Sequence, residues 1–442
     1  MTRTTATSPA SSSTSWTSSR HTGPDPKGSG PSGLKGTAVT GSDVDTIDET
    51  GSGPAPAVRR WAAVGGVALG TFILVTNEFL PVGLLPQISD SLHVATASAG
   101  LLVTAPAMVA AVAAPSVAVL LGRVDRRLIL LGMTALFIAA DLVSAAAPNL
   151  LALIGARLAF GLGIGGFWAI GGTVGPSLVG PRHGGRATAL IFGGISVASI
   201  VGVPAGTALG QALGWRAAFL ATAIVGAVAL LGQLATLPKL APQGRSGWGP
   251  ALRLLRGARA RRALLATVVL ITGQFVAFTY LVDFLQRDRG LEPRTVAWLL
   301  LVYGLAGLVG NFGASPLLRG RAVAAAAALA AAIAIAAAAS AAVAPAEFVL
   351  TITMAGWGAA YGAVPIAMQT LVRHSDPAAF DSGAPIYITA FQGSIAIGSV
   401  LGAALVLVGG DLTAVLSGAL LALVSAPLVG FGRSRSRRAG DA

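Results

Sequence analysis

Four ionisable side chains lie inside long runs of apolar residues, and these are the positions where this sequence could carry proton chemistry. They are Glu78, Asp141, Arg157 and Asp283. A charged side chain at the centre of an apolar helix costs roughly 2.5 to 3.5 kcal/mol, so it needs a partner or a function. Because burial disfavours the charged form of an acid, a carboxyl group there can bind and release a proton. We predict proton coupling at these four residues, with Arg157 paired to one acid. A purely structural pair is the alternative.

Amide and aromatic side chains in the same apolar runs are candidates for binding a small molecule. An amide there needs a hydrogen-bond partner, because lipid supplies none. Trp357 and Tyr361 are four residues apart, so they share a helix face on which a flat heterocycle can stack. Core packing of the rings, and bonds from the amides to nearby backbone, are the alternatives. The substrate-binding candidates are Asn77, Phe167, Trp168, Gln274, Phe278, Tyr280, Trp357, Tyr361 and Gln392.

The composition places these residues in a helical membrane protein. The chain has 442 residues, of which 54% are hydrophobic and 11% charged, whereas soluble domains carry roughly 25% charged residues. The apolar residues form runs of about 20, the length that crosses a bilayer as a helix. We predict an all-α polytopic membrane protein with twelve transmembrane helices. The predicted spans are 61–84, 97–121, 128–147, 149–173, 187–210, 215–237, 263–285, 295–318, 322–344, 347–371, 383–408 and 412–431.

Metal, cofactor and enzyme chemistry are not expected. The sequence contains no cysteine, so it has neither a disulfide framework nor a thiolate metal site. Its four histidines lie outside the apolar runs. The runs also lack the clusters of His, Cys or paired carboxylates that active sites use. We therefore expect no metal, no cofactor and no enzymatic activity.

Polar segments divide the chain into two sets of six predicted helices. The first 57 residues are rich in Ser, Thr, Gly and Pro, and they contain too few apolar residues to offset the entropy of ordering. The predicted parts are a disordered cytoplasmic tail at 1–57, a six-helix bundle at 58–237, a cytoplasmic linker at 238–262, a second six-helix bundle at 263–431 and a basic cytoplasmic tail at 432–442.

The distribution of basic residues predicts how the chain is oriented in the membrane. If the N-terminus is cytoplasmic, the basic residues of the loops on the opposite side are Arg216, Arg287, Arg289 and Arg294. All others lie on the cytoplasmic side, except Arg157 inside the fourth predicted span. Arginine and lysine accumulate in cytoplasmic loops. We predict a multi-pass protein of the inner cell membrane with both termini in the cytoplasm. The net charge of +13 then reflects this bias, and nucleic-acid binding is not expected.

Short motifs in both halves resemble those of the major facilitator superfamily. The turn between the second and third predicted helices reads GRVDRR, the fourth helix contains RLAFGLGIGGF, and GWRAAF begins the sixth. The stretches EFLPVGLLPQIS, GGFWAI and GQFVAFTYL resemble the drug and proton antiporter branch of the superfamily, in particular its bacterial purine ribonucleoside efflux pumps. The resemblance covers the chain from about residue 61 to 431.

The resemblance implies roles for two of these motifs. In the superfamily the acidic and basic loop contacts neighbouring helix ends and helps to hold a gate shut. A glycine and proline motif on the fifth helix marks its exporters, with plain helix packing as the alternative. The residues concerned are Gly122, Asp125, Arg126 and Arg127 in the gating motif, and Gly202, Pro204 and Gly206 in the helix-packing motif.

The resemblance also implies which acid carries the proton. Helices 1, 4, 7 and 10 line the central cavity of the superfamily, and helix 3 stands outside them. Glu78 is the first choice because it lies on a cavity helix, beside Asn77 and before Pro81, which we predict ends the helix. Asp141 belongs to an outer helix, and Asp283 lies near the outer surface, where we expect it to be hydrated.

The function implied is proton-driven efflux of small molecules, with purine ribonucleosides such as inosine and guanosine as the first candidates. The expected partners are the substrate, protons and the lipid bilayer, and the protein is expected to be a monomer. Export of sugars, antibiotics or other amphipathic drugs is the alternative within transport. A non-transporting membrane sensor is the alternative from another class.

Overall fold

The computed structural model describes residues 57–242, 253–318, 320–342 and 347–430, and every regular element in these ranges is a helix. Eleven of the described helices are long and apolar enough to cross a membrane. The last of them, Pro377–Gly430, is interrupted at Gly410, where φ is 78° and ψ is 177°. Counted as two helices, it brings the total to twelve, and the predicted all-α polytopic fold is confirmed. Residues 1–56, 243–252 and 431–442, which include most of both predicted tails and part of the linker, lie outside the described residues.

The helices alternate in direction, and short turns join most of them. We call the end of the bundle where the first helix begins the near end, and the end where it finishes the far end. The helices are α1 (Ala57–Leu92), α2 (Thr96–Leu120), α3 (Arg126–Ala146), α4 (Leu150–Val179), α5 (from Pro181 to Leu213), α6 (Trp215–Thr236), α7 (Ala258–Asp288), α8 (Pro293–Leu318), α9 (Ala322–Ala342), α10 (Glu347–Ser375), α11 (377–409) and α12 (411–430).

The prediction that Pro81 ends the first helix is wrong. α1 continues through Pro81 and Pro86 to Leu92. A proline removes one backbone hydrogen bond from a helix, a loss that neighbouring helices offset inside a bundle. The residues around Pro81, including Leu80 and Leu84, are fully buried, so packing keeps this segment helical. The extra turns carry the far end of α1 beyond the predicted span.

Small residues let α1 and α5 approach closely. A Cβ atom added at Gly202 would overlap Thr76, and one added at Gly206 would overlap Leu80. Close approach of backbones at glycines is a common basis of helix packing in membranes. In the middle of α5 the segment Ala198–Gly202 is a π-helix. It ends two residues before Pro204, which has no N–H to continue the regular hydrogen-bond ladder.

The two sets of six helices meet along α5 and α8 and along α2 and α11. On the first seam Asn311 donates a hydrogen bond to Ser196 at 3.3 Å, and Gly304 lies against the backbone of Ser199. On the second seam the hydroxyl of Thr389 donates to the carbonyl of Ala111 at 2.8 Å. Residues of α1 and α7 are thereby brought together inside the bundle.

Candidate functional site

Asn77 lies at the centre of a buried polar cluster contributed by α1, α3 and α4. Its oxygen accepts a hydrogen bond from Nη1 of Arg157 at 2.8 Å, and its Nδ2 donates to Oδ1 of Asp141. All three side chains are buried. Three of the residues predicted from the sequence are therefore in contact, although Asp141 was expected on an outer helix. Asp141 reaches the cluster because its side chain points inward from α3.

The expected direct ion pair of Arg157 is not present in the described part of the chain, whose ion pairs both involve Arg287. Asn77 stands between the guanidinium and Asp141 and transmits the contact through its amide. Arg157 instead donates to the carbonyls of Leu102 at 3.1 Å and Glu78 at 3.4 Å. Its guanidinium also lies 4.5 Å from the ring centre of Phe160, a favourable cation–π position.

Glu78 connects this cluster to the second half of the molecule. Its side chain is buried, and Oε1 accepts a hydrogen bond from Nε2 of Gln392 on α11 at 3.0 Å. Among the described residues, Oε1 of Gln392 and Oδ2 of Asp141 are buried without a hydrogen-bond partner. A carboxyl group beside an unsatisfied amide oxygen has a place to donate its proton when it is protonated.

A cluster of six aromatic rings adjoins the polar cluster. Phe278 and Tyr303 lie 5.0 Å apart between ring centres, and Phe79 stacks on Phe275 at 5.8 Å. Edge contacts at 6.2 to 6.5 Å connect the remaining rings. The cluster consists of Phe79, Phe275, Phe278, Tyr303, Trp357 and Tyr361, from α1, α7, α8 and α10.

Gln274 holds two of these rings in place. Its Oε1 accepts from the indole N–H of Trp357 at 2.8 Å, and its Nε2 donates to the hydroxyl of Tyr303 at 3.1 Å. Phe79 and Tyr361 are only partly buried, so these rings form the accessible edge of the aromatic cluster. Tyr361 also lies close enough to Glu78 to interact with it electrostatically. The two clusters therefore share one region of the bundle.

Three predicted binding residues lie elsewhere. Phe167 packs against other rings of the first half, and Trp168 stacks on Phe192 at 5.7 Å. The hydroxyl of Tyr280 donates to the carbonyl of Ser399 at 3.1 Å and lies directly against Gly100. Tyr280 thus packs α7 against α2 and α11 and lies apart from the six-ring cluster.

Asp283 is buried, which contradicts the expectation that it is hydrated. The residue is 2% exposed, and Oδ1 lies 3.0 Å from Nε of Arg287. The cause is that α7 continues to Asp288, so Asp283 is covered by neighbouring helices and does not reach the end of the bundle. Thr96 of α2 and Asp411 of α12 both lie against its carboxyl group.

The gating motif anchors the chain segment that follows α6. Oδ1 of Asp125 accepts from the backbone N–H of Arg127 at 2.8 Å, which caps α3, and from that of Leu240 at 2.9 Å. Arg126 donates to the carbonyl of Ala241 at 2.8 Å and to the hydroxyl of Ser177 at 2.9 Å. Gly122 lies in the turn just before them. The motif contacts neighbouring helix ends, and its role in gating stays a prediction.

Several residues of these clusters and of the far end were not among the predicted site residues, including Phe79, Phe275, Tyr303 and Asp411. Phe79 follows Glu78 directly, and its position on the same helix was the available signal. Tyr303 belongs to α8, a helix without an expected role in the cavity. Asp411 was placed outside the predicted span that begins at 412. The described residues contain no group of three His, Cys, Asp or Glu side chains that could hold a metal ion.

This chain matches a known protein family and is similar to two bacterial transport proteins. Residues 67–399 match the family described as the Major Facilitator Superfamily. The inner membrane transport protein YdhP of Escherichia coli strain K12 is 32% identical over 343 residues, covering 78% of this chain and 88% of the relative. The MFS-type transporter YtbD of Bacillus subtilis strain 168 is 31% identical over 381 residues, covering 85% and 96%.

Two further proteins are similar to this chain, one in sequence and one in fold. A protein of Pseudomonas aeruginosa named transcription regulatory protein OpdE is 30% identical over 347 residues, covering 77% of this chain and 86% of the relative. The crystal structure of the human organic anion transporter MFSD10 (TETRAN) matches with a TM-score of 0.62 at 18% identity, covering 85% of this chain and all of that one. At this identity the second similarity concerns the fold alone.

Proposed function

Because this chain belongs to the major facilitator superfamily of membrane transporters, we propose that it exports a small molecule in exchange for protons. Substrate enters from the cytoplasm, and protons run inward as one six-helix half rocks against the other. Glu78 carries the proton. Arg157 donates to the backbone carbonyl of Glu78 and holds this residue in place, and Asn77 connects Arg157 to Asp141. Purine ribonucleosides such as inosine and guanosine are the substrates that the binding region suits best.

The observation that carries the proposal is the hydrogen bond between Glu78 and Gln392. It joins α1 of the first half to α11 of the second, so a change at Glu78 acts on the interface that must open. As a carboxylate, Glu78 accepts from the amide N–H₂. As a carboxylic acid, it has a proton to donate to the unpartnered amide oxygen of Gln392. Proton binding therefore changes the free energy of the state in which the halves touch here differently from that of the state in which they separate. Coupling requires such a difference.

The aromatic cluster supports a flat substrate. Phe79 and Tyr361 are its accessible rings and lie beside Glu78, so a heterocycle stacked on them would lie next to the proton-binding group. Phe278 and Trp357 form the floor of the cluster, and Gln274 keeps Trp357 in position. A sugar, which has no flat aromatic face, would use these rings less fully.

The distribution of charge supports the orientation. The near end carries the arginine-rich segments that precede α7 and α3, which by the positive-inside rule supports a cytoplasmic near end. Both termini are then cytoplasmic, and the inner membrane is the compartment named for one similar protein. A reporter fused to residue 442 should be active only in the cytoplasm, and activity outside the cell would overturn the orientation.

A second candidate function is sensing without transport. It is favoured by the name of one relative, a transcription regulatory protein that is 30% identical. A sensor would bind its ligand and change conformation without moving it across the membrane. Binding of a labelled nucleoside without any accumulation in vesicles would favour this candidate.

The test of the proposal is driven accumulation in everted membrane vesicles. Vesicles that contain the protein should accumulate labelled inosine when their interior is acidified and should lose it when a protonophore removes the gradient. A Glu78→Gln variant should bind inosine but fail to accumulate it. Glu347→Gln is the matched control, because Glu347 is exposed at the start of α10. Accumulation that persists without a gradient, or in Glu78→Gln vesicles, would refute proton coupling through Glu78.

A further inference from the structure

The far end of the bundle is closed by one arginine that contacts both halves. Nη2 of Arg287, on α7, lies 2.7 Å from Oδ1 of Asp90 and 3.1 Å from the hydroxyl of Ser89, both on α1. Its Nε lies 3.0 Å from Oδ1 of Asp283, one turn earlier on α7. Asp283 thus orients Arg287 toward the other half. We call Asp90, Arg287 and Asp283 the far-end latch.

A second acid lies behind the latch and belongs to another helix. Asp411 is 6% exposed and begins α12 directly after the kink at Gly410. Its carboxyl group lies within hydrogen-bonding reach of that of Asp283. Oδ1 of Asp411 is buried without a donor among the described residues. Two buried carboxyl groups therefore face each other, and of the two it is Asp283 that forms an ion pair with Arg287.

A hydrogen bond between two carboxyl groups requires a proton on one of them, because carboxylates only accept. Asp283 contacts the guanidinium of Arg287, which stabilises its charged form, so the proton belongs to Asp411. If both carboxyl groups were charged, they would repel each other strongly in this buried site. The arrangement in the structure is therefore complete only with a bound proton.

We propose that Asp411 is a second proton-binding site and that its proton keeps the far-end latch closed. While Asp411 is protonated, it donates to Asp283 and fixes that carboxylate against Arg287. When the proton leaves, Asp411 becomes a carboxylate that competes with Asp90 for the same guanidinium. Arg287 is then drawn into its own half, and the contact with α1 breaks.

The charged and polar groups around the pair set the sign of this effect. Asp288 adds a further negative charge near Asp411, and Asp90 does so near Asp283, whereas Arg287 is the nearby positive charge. Thr96 of α2 contacts Asp283. Tyr280 lies near both acids, but its hydroxyl donates to a backbone carbonyl. Proton loss thus leaves four carboxylates around one arginine, and alkaline conditions favour the open latch.

This site is separate from Glu78 and does not depend on which substrate is transported. Asp283 and Asp411 both belong to the second half, whereas Glu78 bonds across the halves to Gln392. Opening of the latch is measurable without transport, so failure of this proposal and failure of the proposed function are distinguishable.

The test measures the distance between the halves at the far end. The chain has no cysteine of its own, so Ser91→Cys and Arg294→Cys introduce a pair of spin labels at exposed positions on the two halves. Pulsed electron resonance on this pair should show a short distance at about pH 5 and a growing long-distance population toward about pH 8. With one linked proton, the ratio of closed to open forms changes by up to about tenfold per pH unit.

Asp411→Asn is the decisive variant, because its amide donates to Asp283 but has no proton to lose. It should keep the short distance at every pH. If that variant does not insert, Asp411→Ser offers a hydroxyl donor in its place. Glu347→Gln, which removes a charge from the exposed start of α10 and is not one of the groups around the latch, is the control and should retain the pH response. A pH response that survives in Asp411→Asn would overturn the proposal. A distance between the two labels that does not change with pH when Asp411 is present would overturn it as well.

Discussion

Replacing Asn77 with leucine tests whether its amide holds the buried charges together. Leucine has a similar size but offers neither the acceptor for Arg157 nor the donor for Asp141. Each lost hydrogen bond to a charged group is worth about 1.5 to 3 kcal/mol. Arg157 retains its two backbone carbonyls, so we expect a loss near the lower end, about 3 kcal/mol in total. Because the unfolding entropy grows with chain length, that loss lowers the melting temperature of the helical region 57–430 by roughly 4 °C.

The assay is thermal unfolding of purified protein in detergent, followed by tryptophan fluorescence. Adding Asp141→Leu to Asn77→Leu should recover part of the loss, because the double variant removes the carboxylate that the single variant leaves without its donor. Asn311→Leu removes a hydrogen bond between neutral side chains and should lower the melting temperature much less. An Asn77→Leu protein that melts at the wild-type temperature would refute the bridging role.

Two further predictions concern packing and binding. Gly202→Val should prevent the close approach of α5 to Thr76 on α1 and reduce the folded yield sharply, whereas Gly193→Val, at a position with open space around it, should not. Fluorescence-detected gel filtration measures both yields, and equal yields would contradict the packing account. Trp357→Phe removes the indole N–H that Gln274 accepts and should weaken nucleoside binding about tenfold; titration calorimetry with unchanged affinity would exclude Trp357 from the binding region.

The sequence was sufficient for the helices because each apolar run is long enough to cross a membrane. It was less informative where tertiary contacts decide. α1 extends past Pro81 because its neighbours bury it, and no local signal reports that burial. Arg157 reaches Asp141 through Asn77 because three helices place the amide between the charges. Composition alone predicts a pair but not the residue that separates its members.

The far end was the least predictable part of the site. Asp411 precedes an apolar run, which is the pattern of a loop residue. It is buried because Gly410 adopts a positive φ and turns α12 back against α7, and a glycine in the sequence does not show which way the chain turns. Tyr303 was overlooked for a similar reason, since its contact with Gln274 depends on how α8 packs.

The central claim is that the proton on Glu78 and the substrate are linked, and proton release on substrate binding tests it most directly. Purified protein in weakly buffered detergent solution is mixed with inosine, and a pH-sensitive dye reports released protons. If binding favours the charged form of Glu78, the wild-type protein should release up to about one proton per molecule near neutral pH. Glu78→Gln should bind inosine and release none, and Glu347→Gln should behave like the wild type. Equal release from Glu78→Gln and wild type, or binding to the wild type without any release, would contradict the account.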